Sequence, residues 1–259
     1  MVLKEITQNE FDEIIAVKGF DYDLMAKDYY ITIILYLIKD IKGLYFKGGT
    51  ALQKTVLDYA RISEDIDFTL TRDLKAIKKE IIKAIDESKL FGTITKDKDV
   101  TKFARLIVPY NTKISKGEVF IDLNERSKLC LKPENKEMKQ FYPNIPPFTF
   151  SCLFLQEMIA EKVAAAIGRN KPRDHYDVYQ IIKHKLPIDL SLVKKKCKQS
   201  GIELNILKMF NMAKKLHKRW NNDLIPLLVE EVSFHEVMKT LANHFNLKEE
   251  KEKLKDQDH

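Results

Sequence analysis

The stretch of sequence that decides the fold is FKGGTALQKTVLDYARISEDIDF, residues 46–68. A short apolar run, residues 44–46, leads into a double-glycine turn, and residues 51–59 have the pattern of a helix that begins at this turn. Residues 65–70, DIDFTL, alternate polar and apolar side chains with the period of two that is typical of a β-strand. The stretch is therefore predicted to fold as strand, glycine turn, helix and strand.

Two carboxylates in this stretch are placed to bind a metal ion. Strand alternation puts Asp65 and Asp67 on one face and Ile66 and Phe68 on the other, with the two aspartate Cα atoms roughly 6 to 7 Å apart. Carboxylate oxygens are preferred ligands of Mg²⁺ and Mn²⁺, and enzymes that transfer phosphate-containing groups use such cations to neutralise the phosphates. Because Asp-x-Asp pairs also arise on ordinary surface strands, the pair alone leaves a structural role open.

The glycine turn before these carboxylates has the features of a phosphate-binding turn. Gly48, Gly49 and Thr50 stand at the start of the predicted helix, where free backbone N–H groups can bind phosphate oxygens and a side chain would obstruct them. Taken separately, the two glycines fit a tight strand-to-helix turn equally well. The turn and the carboxylates together favour a site for a metal-bound phosphate.

The rest of the chain divides into a mixed region and a helical region. Helices are predicted over residues 23–39 and 74–90, and strands over 92–96, 103–110 and 119–123. The proline-containing residues 133–147 are predicted to be a linker or a wrapping loop. Five further helices are predicted over residues 152–167, 174–184, 191–199, 203–220 and 234–245. The charged residues 248–259 are predicted to be a solvated end.

The predicted fold class is therefore α+β with two domains. Residues 1–147 form an N-terminal domain in which helices flank a mixed β-sheet, and residues 148–259 form a C-terminal helical-bundle domain. The 259 residues are 44% hydrophobic and carry a formal net charge of +7, which modestly favours a polyanionic partner. The three cysteines are isolated, which argues against a zinc site or a disulfide framework.

No membrane partner is expected. The longest apolar run, residues 29–38, has roughly half the length of a bilayer-spanning helix, and the N-terminus lacks the basic start and apolar run of a signal peptide. The sequence therefore predicts a cytoplasmic protein.

The stretch that begins at Phe46 resembles the opening motif of the AbiEii/AbiGii toxin-type nucleotidyltransferases, a family of the DNA polymerase beta-like superfamily. Members pair a GG(S/T) turn with the motif Arg-x-Ser-x-Asp-h-Asp, in which h is hydrophobic. At these positions the chain has Gly48, Gly49, Thr50, Arg61, Ser63, Asp65 and Asp67. The resemblance implies that the two aspartates bind the catalytic metal and that the other five residues contact the nucleotide.

A third carboxylate is supplied in this superfamily by a later strand. In this chain it would be Asp122 in VFIDLNER, residues 119–126, where alternation places Asp122 and Phe120 on one strand face. The resemblance implies that Asp122 is a third metal ligand and catalytic residue. The alternative is an ordinary exposed strand aspartate.

A second motif lies in residues 155–182, LQEMIAEKVAAAIGRNKPRDHYDVYQII. Related toxins carry an Ala-Glu-Lys helix followed by Arg-x-x-x-Arg-Asp-x-x-Asp, and the resemblance implies that Lys162 and Arg173 bind the nucleotide and that Asp174 and Asp177 are catalytic. Acidic residues in the first turn of a helix, and an ion pair between Arg173 and Asp177, would instead simply stabilise the helix.

The resemblance implies a toxin of a toxin–antitoxin or phage-defence system that transfers NMP from an NTP, with Mg²⁺ or Mn²⁺, to an acceptor such as tRNA or another RNA. A cognate antitoxin protein is a possible partner. The basic residues 194–198 and 214–219 either form solvated helix faces or contact RNA phosphates. Two alternatives remain: a non-catalytic module that binds nucleotide or RNA, and a small-molecule nucleotidyltransferase of the antibiotic-modifying type.

Overall fold

The strand that carries Asp65 and Asp67 lies at the centre of a seven-stranded mixed sheet. The strands are β1 (Leu44–Lys47), β2 (Asp65–Leu70), β3 (Thr95–Val100), β4 (Phe103–Asn111), β5 (Lys116–Asn124), β6 (Glu134–Glu137) and β7 (Thr149–Cys152). Their order is β3-β4-β5-β2-β1-β7-β6. Strand β2 runs parallel to β5 and antiparallel to β1, so the expected metal ligands on β2 have a strand on either side.

The computed structural model describes residues 3–249 and 252. Its internal contacts divide the chain into two units, Met1–Phe154 and Leu155–His259. The domain boundary predicted after residue 147 falls too early, because β7 pairs with both β1 and β6 and so belongs to the sheet. The predicted solvated end, residues 248–259, lies mostly outside the described residues.

Four helices of the first unit accompany the sheet: α1 (Gln8–Lys18), α2 (Tyr22–Ile38), α3 (Gly48–Thr55) and α4 (Leu74–Ser88). Side-chain caps start three of them, since Thr7, Asp21 and Asp73 each accept a hydrogen bond from a backbone N–H in the first turn, which satisfies donors that a helix leaves unpaired. Eleven residues of α2 are buried, as expected from its apolar sequence.

Residues 133–147 do not form a linker. Glu134–Glu137 pairs antiparallel with Thr149–Cys152 as β6. Between these strands, Tyr142 is fully buried, and its hydroxyl shares its one proton between two acceptors, the Met25 carbonyl oxygen and Asp28 Oδ2, each 3.0 Å away. The segment therefore wraps onto the first unit.

Every regular element in the described part of the second unit is helical. The helices are α5 (Leu155–Arg169), α6 (Pro172–Lys183), α7 (Leu190–Gln199), α8 (Lys208–Asn211), α9 (Ala213–Asp223) and α10 (Phe234–His244), with a 3-10 turn at Ile225–Leu227. Helix α5 packs against α6 and α7, and α6 packs against α9 and α10. The single helix predicted over residues 203–220 is wrong, because α8 and α9 are separated by Met212, whose backbone is not helical (φ −105°, ψ 22°). The α+β prediction is confirmed.

Among residues 3–249 and 252, no helix has the length and apolar character needed to cross a membrane.

Candidate active site

The glycine turn and the carboxylate strand are in direct contact. Gly48 begins α3 with φ 81°, a left-handed conformation that side chains disfavour. A β-carbon at Gly48 would also overlap the Asp67 carboxylate. Since Lys47 is the direct cross-strand partner of Asp67, the strand pairing itself brings the turn to this carboxylate.

The remaining residues of the first motif close around the same turn. A β-carbon at Gly49 would lie 2.8 Å from Arg61 Nη2 and 3.0 Å from Ser63 Oγ. The Thr50 hydroxyl donates a short hydrogen bond to the Asp65 carbonyl oxygen. Thus the two halves of the motif, separated in sequence by α3, form one packed cluster.

Arg61 lies beneath the turn. Its side chain is buried, with 2% of the residue surface exposed, and Nη1 donates to the Ile62 carbonyl oxygen at 2.8 Å. The Arg61 backbone N–H donates to Gln53 Oε1 of α3 at 3.3 Å. These contacts hold Arg61 against the loop between α3 and β2.

The third expected ligand, Asp122, lies beside Asp67 on the neighbouring parallel strand, where the two are register partners. Neighbouring strands are about 4.8 Å apart. However, Asp122 already has a cationic partner. Arg105 of β4 donates from Nε to Asp122 Oδ1 at 2.6 Å and from Nη2 to Oδ2 at 2.7 Å. These hydrogen bonds, with the nearby charges of Asp122 and Asp65, raise the pKa of Arg105 above its ordinary value.

The donor set fits a hard divalent cation in part. Asp65 and Asp67 are half-buried on one strand face, their oxygens suit Mg²⁺ or Mn²⁺, and a glycine leaves space next to Asp67. Still, no group of three His, Cys, Asp or Glu side chains in the described part of the chain is arranged to hold a metal ion. Both oxygens of the third carboxylate, Asp122, are engaged by Arg105.

The second motif forms a buried ionic cluster inside the second unit. Lys162 Nζ of α5 lies 3.0 Å from Asp174 Oδ1 and 2.9 Å from Asp177 Oδ2 of α6. Arg169 donates to both oxygens of Asp174, at 2.7 and 2.9 Å. The side chains of Lys162, Asp174 and Asp177 are almost fully buried, whereas Arg169 is exposed. Arg173, in the first turn of α6, is half-buried.

Asp174 is held as a carboxylate. Burial alone would raise its pKa, but the positive charges of Lys162 and Arg169 and their hydrogen bonds hold the pKa below its ordinary value of 3.8. A buried ion pair is stable only when such hydrogen bonds satisfy both partners. The cluster thus ties the second half of α5 to the first two turns of α6.

The basic residues of α7 do not form one surface. Lys196 is buried, and its Nζ lies 2.5 Å from Glu157 and 2.9 Å from Glu161 of α5. For this lysine both alternatives, a solvated helix face and an RNA contact, are therefore wrong. Lys194, Lys195 and Lys198 are exposed, as are the basic residues of α9.

Arg105 and Arg169 were not expected from the sequence. The signal for Arg105 was present in the hairpin: a turn at residues 112–115 separates β4 from β5, and antiparallel pairing outward from it sets Arg105 opposite Asp122. Arg169 matches the first arginine of the second motif, but its partner Asp174 emerges only when α5 and α6 pack.

Comparisons with known proteins agree with this architecture. The family described as "Nucleotidyl transferase AbiEii toxin, Type IV TA system" matches residues 36–243. A search of curated proteins returns no match.

Two solved structures share the fold. The structure of MenT4, a nucleotidyltransferase toxin from Mycobacterium tuberculosis H37Rv, is 19% identical with a TM-score of 0.63, and the match covers 92% of this chain and 99% of that chain. The crystal structure of JHP933 from Helicobacter pylori is 18% identical with a TM-score of 0.59, and covers 93% of this chain and 100% of that one. On the family match over residues 36–243, the chain belongs to the AbiEii family of nucleotidyltransferase toxins.

Proposed function

We propose that this protein transfers NMP from an NTP to an RNA acceptor such as tRNA, with release of pyrophosphate and with Mg²⁺ or Mn²⁺ as cofactor, and that it acts in the cytoplasm as a toxin controlled by a cognate antitoxin. The observation that carries the proposal is the contact between Gly48 at the N-terminus of α3 and the Asp67 carboxylate on β2. It joins a phosphate-binding backbone to a metal-binding carboxylate at one point.

Residues of the first unit would bind the triphosphate and its cation. Asp65 and Asp67 would supply the first carboxylate ligands, and Asp122 a third. When bound, a divalent cation neutralises phosphate charge and orients the reacting groups. The backbone N–H groups at Gly48 and Gly49 and the hydroxyls of Thr50 and Ser63 would bind phosphate oxygens. Arg61, which the resemblance assigns to nucleotide binding, is buried beside Gly49 and would also keep the turn in place.

In the second unit, Lys162 and Arg173 are proposed, from the resemblance to related toxins, to bind nucleotide. The resemblance to related toxins implies catalytic roles for Asp174 and Asp177. Because both are buried and lie within 3.0 Å of Lys162 Nζ, we assign them to positioning this ammonium group.

An RNA acceptor is favoured by exposed basic residues. Lys214, Lys215 and Lys218 project to solvent from one side of α9, and phosphate contacts require only positive charge and reach. The formal net charge of +7 acts in the same direction.

The function is tested by incubating the protein with each α-labelled NTP, a divalent cation and total cellular RNA. We expect label in RNA, and Asp67→Ala should abolish it without unfolding the protein, since Asp67 is half-buried at the surface of β2. Asp40→Ala, at an exposed carboxylate, is the matched control and should retain transfer.

Other outcomes identify other functions. Full transfer by Asp67→Ala would refute the assignment of the site. Nucleotide binding without transfer to RNA, protein or small molecules would indicate a non-catalytic module. Label in an added antibiotic-type small molecule and none in RNA would indicate a small-molecule nucleotidyltransferase.

A further inference from the structure

Arg105 places a positive charge where the third metal ligand is expected. The guanidinium contacts both Asp122 oxygens, at 2.6 and 2.7 Å, in the forked arrangement that makes arginine–carboxylate pairs strong. The two residues are direct partners across the β4–β5 pairing. No rearrangement of the backbone is needed to hold this contact.

The surroundings of Arg105 belong to the proposed metal site. Asp122 is the register partner of Asp67, and Phe120, the preceding residue on the same face of β5, is the register partner of Asp65. The Arg105 guanidinium lies 5.4 Å from the centre of the Phe120 ring. It therefore shares one sheet face with all three carboxylates, whose mutual repulsion it offsets.

We propose that Arg105 is a positioning residue that competes with the divalent cation for Asp122. This inference rests on the proposed metal site. A cation that takes Asp122 as a ligand must displace a bidentate guanidinium and approach a fixed positive charge. Arg105 thus lowers the affinity of the protein for the free cation and holds the carboxylates in place until the cation binds.

Binding of Mn²⁺ to the full-length protein, measured by electron paramagnetic resonance of the free ion, tests the competition without use of activity. We expect Arg105→Gln to bind Mn²⁺ about tenfold more tightly than the wild type, a change typical of removing one charged hydrogen-bonded partner. The matched control is Lys27→Gln. Lys27 Nζ lies 5.6 Å from the same Phe120 ring and pairs with Glu64 at 3.9 Å, so its loss removes an equal charge and should change the affinity about twofold or less.

An Asp122→Asn background separates direct competition from general electrostatics. The gain from Arg105→Gln should disappear there, because the contested ligand is gone. Persistence of the gain in Asp122→Asn, or an equal gain in Lys27→Gln, would overturn the inference while leaving the metal site intact. If Asp65→Asn/Asp67→Asn binds Mn²⁺ as the wild type does, the proposed metal site itself fails, and the inference with it.

A second substitution tests the proposal in case Arg105→Gln does not fold. Arg105→Lys keeps the charge but loses the forked contact, and we expect about a threefold gain in Mn²⁺ affinity with an unchanged circular dichroism spectrum. No gain in a folded Arg105→Lys protein would also overturn the proposal.

Discussion

Gly48 lies against the Asp67 carboxylate so closely that a β-carbon on Gly48 would overlap Asp67 Oδ2. Two separate features therefore favour glycine at this position. The backbone of Gly48 is left-handed, with a φ of 81°, and Asp67 leaves no space for a side chain. Only the second feature involves the proposed metal site, which makes the two separable by experiment.

Gly48→Ala should abolish Mn²⁺ binding and nucleotidyl transfer and also destabilise the protein, because the methyl group must displace Asp67. Gly201→Ala is the matched control. Gly201 has a similar φ of 71°, but a β-carbon there would meet nothing within 4 Å. Both substitutions should cost about 1 to 2 kcal/mol of unfolding free energy from the left-handed conformation. Equal Mn²⁺ affinity in the two variants would contradict the proposed role of the Gly48 contact.

The buried cluster of the second unit should show a defined pH dependence. The folded-state pKa of Asp174 is depressed below 3.8 by Lys162 and Arg169, so its ionisation stabilises the folded protein above about pH 4. This stability is lost as the pH falls from 3.8 toward the lower folded-state pKa. The difference in melting temperature between wild type and Asp174→Asn should therefore be largest near pH 6 and shrink toward pH 3.

Thermal unfolding at matched ionic strength between pH 6 and pH 3 measures this difference. Asp189→Asn is the reference, because Asp189 also has a lowered pKa, but as an exposed cap of α7 without a buried ion pair. If the melting-temperature difference from wild type changes more with pH for Asp189→Asn than for Asp174→Asn, the stabilising role assigned to the Asp174 ion pair is refuted.

A second buried ion pair stabilises the first unit. Lys54 Nζ lies 2.7 Å from Asp28 and donates to the hydroxyls of Thr32 and Tyr59, at 2.8 and 2.6 Å, with Lys54 completely inaccessible. Lys54→Met should lower the free energy of unfolding by about 3 to 5 kcal/mol, because Asp28 is left buried without a counter-ion.

Urea unfolding tests this contribution. The double variant Lys54→Met/Asp28→Asn should recover part of the loss, since it removes the uncompensated charge. Lys83→Met is the control, because its pair with Glu87 is solvent-exposed, and it should leave the midpoint almost unchanged. An equal loss in Lys54→Met and Lys83→Met would rule out the buried pair as a source of stability.

The sequence predicts those parts of the fold that depend on short-range patterns. The alternation in DIDFTL predicts β2 and the shared face of Asp65 and Asp67, and the glycine pair predicts the start of α3. Both patterns can be recognised because each lies within a few neighbouring residues. Strand β6 was missed because ENKE has no apolar alternation, and its pairing with β7 depends on residues twelve or more positions away.

The ionic partners required the tertiary structure. Lys54 and Asp28 lie on different helices, and Lys162 meets Asp174 only when α5 and α6 pack. Lys196 is a different case. It occupies the same helix face as Leu192, Val193 and Cys197, all buried, so the apolar spacing of α7 already indicated that this lysine points inward.

The exposed lysines of α9 provide a test of the proposed RNA acceptor. The triple variant Lys214→Gln/Lys215→Gln/Lys218→Gln should weaken RNA binding and reduce the slope of log affinity against log salt concentration by about 2, because about 0.7 counterion is released for each phosphate contact with a single strand.

The control is the triple glutamine variant of Lys75, Lys79 and Lys83, which removes the same charge from exposed positions of α4. Fluorescence anisotropy with labelled RNA between 50 and 200 mM salt, the range over which such contacts dominate, measures both quantities. If both triple variants change the salt slope equally, binding follows net charge alone and α9 is not the RNA contact; a change confined to the α9 variant locates the acceptor there.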